Sequence, residues 1–151
     1  MFEKYKKYLA NSNSVLNENI DTGILQDEMH ISIPDQLIKM YDELGYGRLN
    51  LDTNNPNSLY NDYRILDVME ILDIYQKTNT YFLFDFSEYE SFENHWRSQL
   101  IFFELSEDTF FSIGVESNNY GHIFDNDIKL ADSLVEFFNK LILDPVFYEK
   151  Y

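Results

Sequence analysis

Apolar positions along the chain recur in two rhythms, one helical and one suited to strands, with polar clusters between them. Phe2, Tyr5 and Leu9 share helical spacing before Asn11, Ser12, Asn13 and Ser14 break it, which predicts a short helix and then a loop. A second short helix is expected over Ile20 to Met29, although Gly23 weakens it. Pro34 suits a first helical turn, where its missing N–H costs nothing, and Leu37, Met40, Tyr41 and Leu44 continue as an apolar stripe. Gly45 fits the position just past that helix's end. YGRLNL then reads as a strand, and residues 52–62, with Pro56 among asparagines, read as an exposed loop. Tyr63 to Leu66 predicts another short strand. Asp67 with Glu70 forms a capping box for a helix running to about Lys77, its stripe being Val68, Ile71, Leu72 and Tyr75.

Between Tyr81 and Trp96 two readings stay open, because YFLFDF suits a strand whereas SEYESFENHW suits an acidic helix or a lid-like loop. From Leu100 the strand rhythm returns three times, in LIFFEL, FFSIGV and YGHIF, with short polar turns between, as an antiparallel meander requires. Ser133 and Glu136 form a second capping box, and Leu134, Phe137, Phe138, Leu141 and Ile142 make the most regular apolar face in the chain. That helix is expected to cover one face of the meander, since a half-buried antiparallel sheet leaves one apolar side in need of cover. Pro145 should stop it, and the tail VFYEKY should dock through Val146, Phe147 or Tyr148. With no repeat and no linker, the reading is one α+β domain over residues 1–151.

Composition narrows what such a domain does. At 151 residues, 44% apolar and 17% aromatic, the chain can bury a real core, which argues against disorder. Eleven bases against 27 acids give a net charge of −16, and the stretch from Asp85 to Asp144 alone holds thirteen acids and three bases. Such a field repels phosphodiester backbones and anionic headgroups, so neither nucleic acid nor membrane is expected as a partner. Zero cysteines remove disulfides, thiolate metal sites and cysteine nucleophiles together. Lysines in an amphipathic N-terminus, with no apolar run near the roughly 18 residues that span a bilayer, point to a cytoplasmic location.

Motifs of catalysis are sparse. Glycines at 23, 45, 47, 114 and 121 supply neither a phosphate loop nor a dinucleotide fingerprint. His30, His95 and His122 stand far apart and read as structural. Asp125, Asp127 and Glu136 have the length of a calcium loop, but Leu130 stands where glycine is needed and Lys129 would put a cation among the ligands. Paired carboxylates are recognised by spatial separation alone, and among 27 acids a solvated surface is the simpler account. No catalytic residue, metal or cofactor is therefore expected. Twelve tyrosines suit a protein interface better, since the ring buries area while its hydroxyl stays wet. Tyr46, Tyr60, Tyr63, Tyr81, Tyr89 and Tyr120, near loops or strand ends, are the interface candidates.

Ile33-Pro34 opening a helix, Gly45-Tyr46-Gly47 entering a strand, and Arg64-Ile65-Leu66 leading to an Asp-capped helix resemble the first half of the SUKH superfamily. The second half is similar over Leu100–Val115, Gly121-His122-Ile123-Phe124-Asp125 and the run ADSLVEFF, so the likeness covers roughly Ile20 to Leu143. The chain carries Ser106, Glu107 and Asp108 in a turn where the family often has glycines. The resemblance implies a central, mostly antiparallel sheet flanked by helices. It also implies a bacterial immunity protein that binds and neutralises a cognate polymorphic toxin, often a nuclease, by stoichiometric occlusion. The alternative it offers is a regulatory protein-interaction module of the cell-wall synthesis regulator type. An acidic surface with aromatic anchors suits a toxin with a basic surface. The expected contact residues are Tyr46, Tyr60, Asp85, Glu88, Tyr89, Glu90, Glu93, Trp96, Glu107 and Asp108.

Overall fold

Each strand of the sheet lies beside the strand next to it in sequence, and every neighbouring pair is antiparallel. Among the described residues the seven strands are β1 (Val15–Asn17), β2 (Tyr46–Leu49), β3 (Tyr63–Ile65), β4 (Gln99–Glu104), β5 (Phe110–Gly114), β6 (Ile123–Asp125) and β7 (Ile128–Ala131). The computed structural model describes residues 1–6, 15–17, 22–49, 51, 63–76, 98–105 and 109–151, with backbone alone for 15–17. Among the described residues, four helices accompany the sheet: α1 (Gly23–Met29), α2 (Asp35–Glu43), α3 (Val68–Gln76) and α4 (Leu134–Leu143). Residues 3–6 add one helical turn and Phe147–Lys150 a 3-10 turn. The architecture is the α+β arrangement that the apolar patterning predicts.

Local chemistry sets the element ends. Pro34 precedes α2 as its cap, one residue earlier than the first turn expected for it, and Gly45 takes φ 86° just beyond, where its N–H reaches Tyr41 O at 3.0 Å. At α3 the capping box closes both ways. The Glu70 N–H donates to Asp67 Oδ1 at 2.9 Å, and the Asp67 N–H to Glu70 Oε1 at 3.2 Å. At α4 Ser133 Oγ accepts the Glu136 N–H at 3.1 Å, while the Glu136 carboxylate takes the N–H of Asp132, 2.9 Å away, instead of that of Ser133.

The core is built on rings. Phe103 and Phe111, paired across β4 and β5, stack at 6.0 Å with planes 9° apart. From α4, Phe137 meets them edge-on at 5.3 and 5.7 Å, meets Phe102 at 5.8 Å, and packs on Phe147 of the tail at 5.9 Å. Its neighbour Phe138 holds the N-terminal turn through Phe2 at 6.0 Å and Tyr5 at 5.5 Å. The tail thus docks through Phe147 and Tyr148, as the sequence suggests, with Tyr148 edge-on to Phe111.

Three differences from the sequence reading have physical reasons. β1 falls where loop was expected and β7 where no element was assigned, because strands of three and four residues leave too little alternation to read. The segment YGHIF is strand from Ile123 onward, its first three residues belonging to a turn in which Gly121 takes φ 81°. Tyr63 is a core residue, 2% exposed, its hydroxyl donating to Pro145 O at 3.0 Å, and so is not interface material. Residues 81–96 lie outside the described part, so neither reading of them is addressed.

Phe137 meets five other rings, so replacing it with alanine is expected to cost about 3–5 kcal/mol, read as a shift in urea midpoint, with Phe137→Leu costing less. A loss below about 1 kcal/mol for the alanine variant would show that this cluster does not organise the core.

Candidate functional site

Of the contact residues read from the sequence, Tyr46 lies in the described part. It opens β2 opposite Asn17 and is half-buried against the core. Tyr60, Asp85, Glu88, Tyr89, Glu90, Glu93, Trp96, Glu107 and Asp108 lie outside it, as do Tyr81 and His95. Tyr120 is 42% exposed. His30 ends α1 in the left-handed region at φ 54°, and His122 leans on Phe124 with ring centroids 6.3 Å apart.

Among the described residues, clusters of acidic side chains are held in place in two parts of the fold. Arg64 and Glu104 are directly opposite in the β3–β4 register, so their side chains leave the same face of the sheet. Arg64 Nε and Nη2 donate to Glu104 Oε2 at 2.8 and 2.6 Å, and Nη1 donates to Glu70 Oε1 at 2.9 Å. Burial of the guanidinium opposes its charge, yet Glu70 and Glu104 outweigh that and raise its pKa. Arg64 lines a concavity of about 410 Å³ together with Asp67, Met69, Glu70 and Asp73. Beneath it the buried Tyr41 hydroxyl donates to Leu66 O; burial, then the charges of Asp67 and Glu70, push its pKa well above the ordinary tyrosine value. Three carboxylates line this hollow with Arg64, whose guanidinium also holds Glu104, and Met69, half exposed, offers an apolar rim.

The second location is the C-terminal part of the sheet and α4. Lys129 pairs with Asp132 at 2.6 Å, Lys140 with Glu136 at 2.8 Å and Lys150 with Asp144 at 2.8 Å. These lysines are spent on internal pairs, whereas Glu116, Asp127 and Glu149 face solvent. The pair partners are lowered accordingly: the Lys140 hydrogen bond lowers Glu136, and the Lys129 hydrogen bond lowers Asp132. Chemically, both locations can present fixed carboxylates to a cationic surface. Among the described residues no three His, Asp or Glu side chains gather as a metal site, and no helix is long and apolar enough to cross a membrane.

Sequence reasoning missed the Arg64–Glu70–Glu104 cluster. Arg64 and Glu104 are forty positions apart, and only strand register makes them neighbours.

Asp125 supplies a pH test. Burial, then the nearby Asp127, raises its pKa, so the folded chain holds that proton more tightly than the unfolded chain. Its contribution is favourable at pH values below the ordinary aspartate range and is lost as pH rises through the raised value. Asp125→Asn is expected to raise the thermal midpoint at pH 7 by a few degrees and to give no gain below that range, which thermal melts across pH will read. A lower midpoint at pH 7 contradicts the assignment.

No family model matches the chain, and no solved structure does. The chain is 34% identical over 125 residues to the immunity protein YxxD of Bacillus subtilis strain 168, a match covering 82% of this chain and 79% of that protein. The matched span is too long to leave out the greater part of the sheet. The chain belongs to the immunity-protein family of which YxxD is a member.

Proposed function

We propose that the chain is a SUKH-type immunity protein that protects a bacterial cell by binding a cognate toxin and covering its working surface. The observation that carries this reading is the 34% identity to an immunity protein along 82% of the chain. The SUKH assignment is supported by the antiparallel sheet with its flanking helices and by the capped run ADSLVEFF at the start of α4. The mechanism is occlusion without bond-making. A net charge of −16 draws in a partner with a basic surface, and carboxylates pinned by hydrogen bonds meet it without reordering. A nuclease fits best, because the surface that holds its phosphodiester substrate must itself carry Lys and Arg.

The proposed contact surface comprises Asp85, Glu88, Tyr89, Glu90, Glu93 and Trp96, with Glu107, Asp108, Tyr46 and Tyr60. Acids there speed encounter, and the rings supply the buried anchors. The encounter takes place in the cytoplasm, with no cofactor and no metal.

Co-expression with the product of the neighbouring gene tests the reading. That product is expected to arrest growth when made alone, and growth should return when this chain is made with it. A product that is harmless alone, or an arrest that the chain leaves in place, overturns the proposal.

A further inference from the structure

The connection between β5 and β6, Glu116 to Gly121, is held more firmly than a surface turn needs to be. Its sequence is Glu-Ser-Asn-Asn-Tyr-Gly. Asn119 ties it from within: Oδ1 accepts the Glu116 N–H at 3.0 Å and Nδ2 donates to Ser98 O at 3.3 Å. The backbone adds Asn119 N–H to Glu116 O at 3.1 Å, His122 N–H to Asn119 O at 3.0 Å and Gly121 N–H to Gly114 O at 3.0 Å. Asn119 folds so closely over β5 that a Cβ on Gly114 would sit 2.1 Å from its carbonyl oxygen. A backbone this constrained fixes where the next side chain points.

That side chain is Tyr120, 42% exposed, with its hydroxyl 3.1 Å from Ser32 Oγ. Ser32 precedes α2, whose Gln36 accepts the Leu134 N–H at 2.9 Å and lies 3.5 Å from where a Cβ on Gly121 would be. The ring is thus braced from two elements yet left in water. Asp35 at the start of α2 and Glu116 at the start of the connection are both exposed. Such an arrangement adds little to stability, since an exposed ring buries little area. It does lower the entropy of ordering on contact, because the ring is already fixed. Tyr, Ser, Asn and Gly are the residues from which antibody paratopes are made, for the same reason.

We propose that the β5–β6 connection is a docking loop for the toxin, with Tyr120 as its anchor and Ser32 as the brace. It would receive a Lys or Arg side chain of the toxin on the Tyr120 ring, with Glu116 and Asp35 supplying the opposite charge. This inference rests on the toxin-binding reading and adds a contact surface to it.

The test measures binding of the purified full chain to the growth-arresting product of the neighbouring gene, carried as an inactivated variant. Tyr120→Ala is expected to raise Kd at least about tenfold with an unchanged thermal midpoint. Tyr120→Phe, which keeps the ring and loses the Ser32 hydrogen bond, should weaken binding by about threefold, less than Tyr120→Ala does, and binding equal to the parent's would overturn the part given to Ser32. Asn118→Arg, at an exposed neighbour outside the hydrogen bonds that hold the loop, should also weaken binding through bulk and charge, whether or not Tyr120→Ala folds. If Tyr120→Ala and Asn118→Arg both fold and bind as the parent does, the loop is not a contact and the immunity reading stands. If the parent chain itself does not bind, the immunity reading fails and the docking loop with it.

Discussion

One packing constraint organises this protein: the sheet's aromatic face has to be covered, and Phe137 is the side chain that covers it. Its ring stands edge-on to Phe102, Phe103 and Phe111 and also touches Phe147, so strand face, helix and tail meet at one point. Ser133 caps the helix that carries it, and the N–H of the following residue, Leu134, is taken by Gln36 of α2. That bond brings the start of α2 to the turn that carries Tyr120. The surface geometry therefore inherits its precision from the core.

Charge is arranged in a complementary way. Lys129, Lys140 and Lys150 are each engaged by a carboxylate of the same chain, Lys140 most fully: it pairs with Glu136, donates to Leu130 O on β7 at 2.8 Å and lies over the Tyr151 ring. By occupying a carbonyl of β7, it also discourages pairing with a further strand there. Carboxylates are left to dominate the field outside. At physiological salt that field reaches about 8 Å, far enough to orient an approaching basic protein and too short to hold it without direct contacts. Affinity must then come from rings and hydrogen bonds at the contact itself.

The sequence made legible what local chemistry dictates. The Asp67–Glu70 capping box, the Ser133 cap, the Gly45 helix end, the β4–β5–β6 meander and the helix bearing Phe137 and Phe138 can be read from residue spacing alone, and the structure has them, with Glu136 reaching back to Asp132 instead of closing a second box on Ser133. What it hid depends on register or on length. Arg64 gives no sign that Glu104 stands opposite, and β1 and β7 are too short to alternate visibly. Tyr63 and Tyr120 look alike as tyrosines beside polar residues, yet one is sealed in the core and the other stands in water. Of the contact residues expected from charge and aromatic content, Tyr46 falls in the described part, as a strand-opening residue resting on the core.

Titrating a fixed amount of the toxin with this chain, and following the toxin's own activity, asks most directly whether it works by covering its partner. Occlusion predicts a straight fall that reaches zero at one chain per toxin. Full loss of activity at a small fraction of that ratio would mean that each chain inactivates many toxin molecules in turn, and would contradict a mechanism without bond-making.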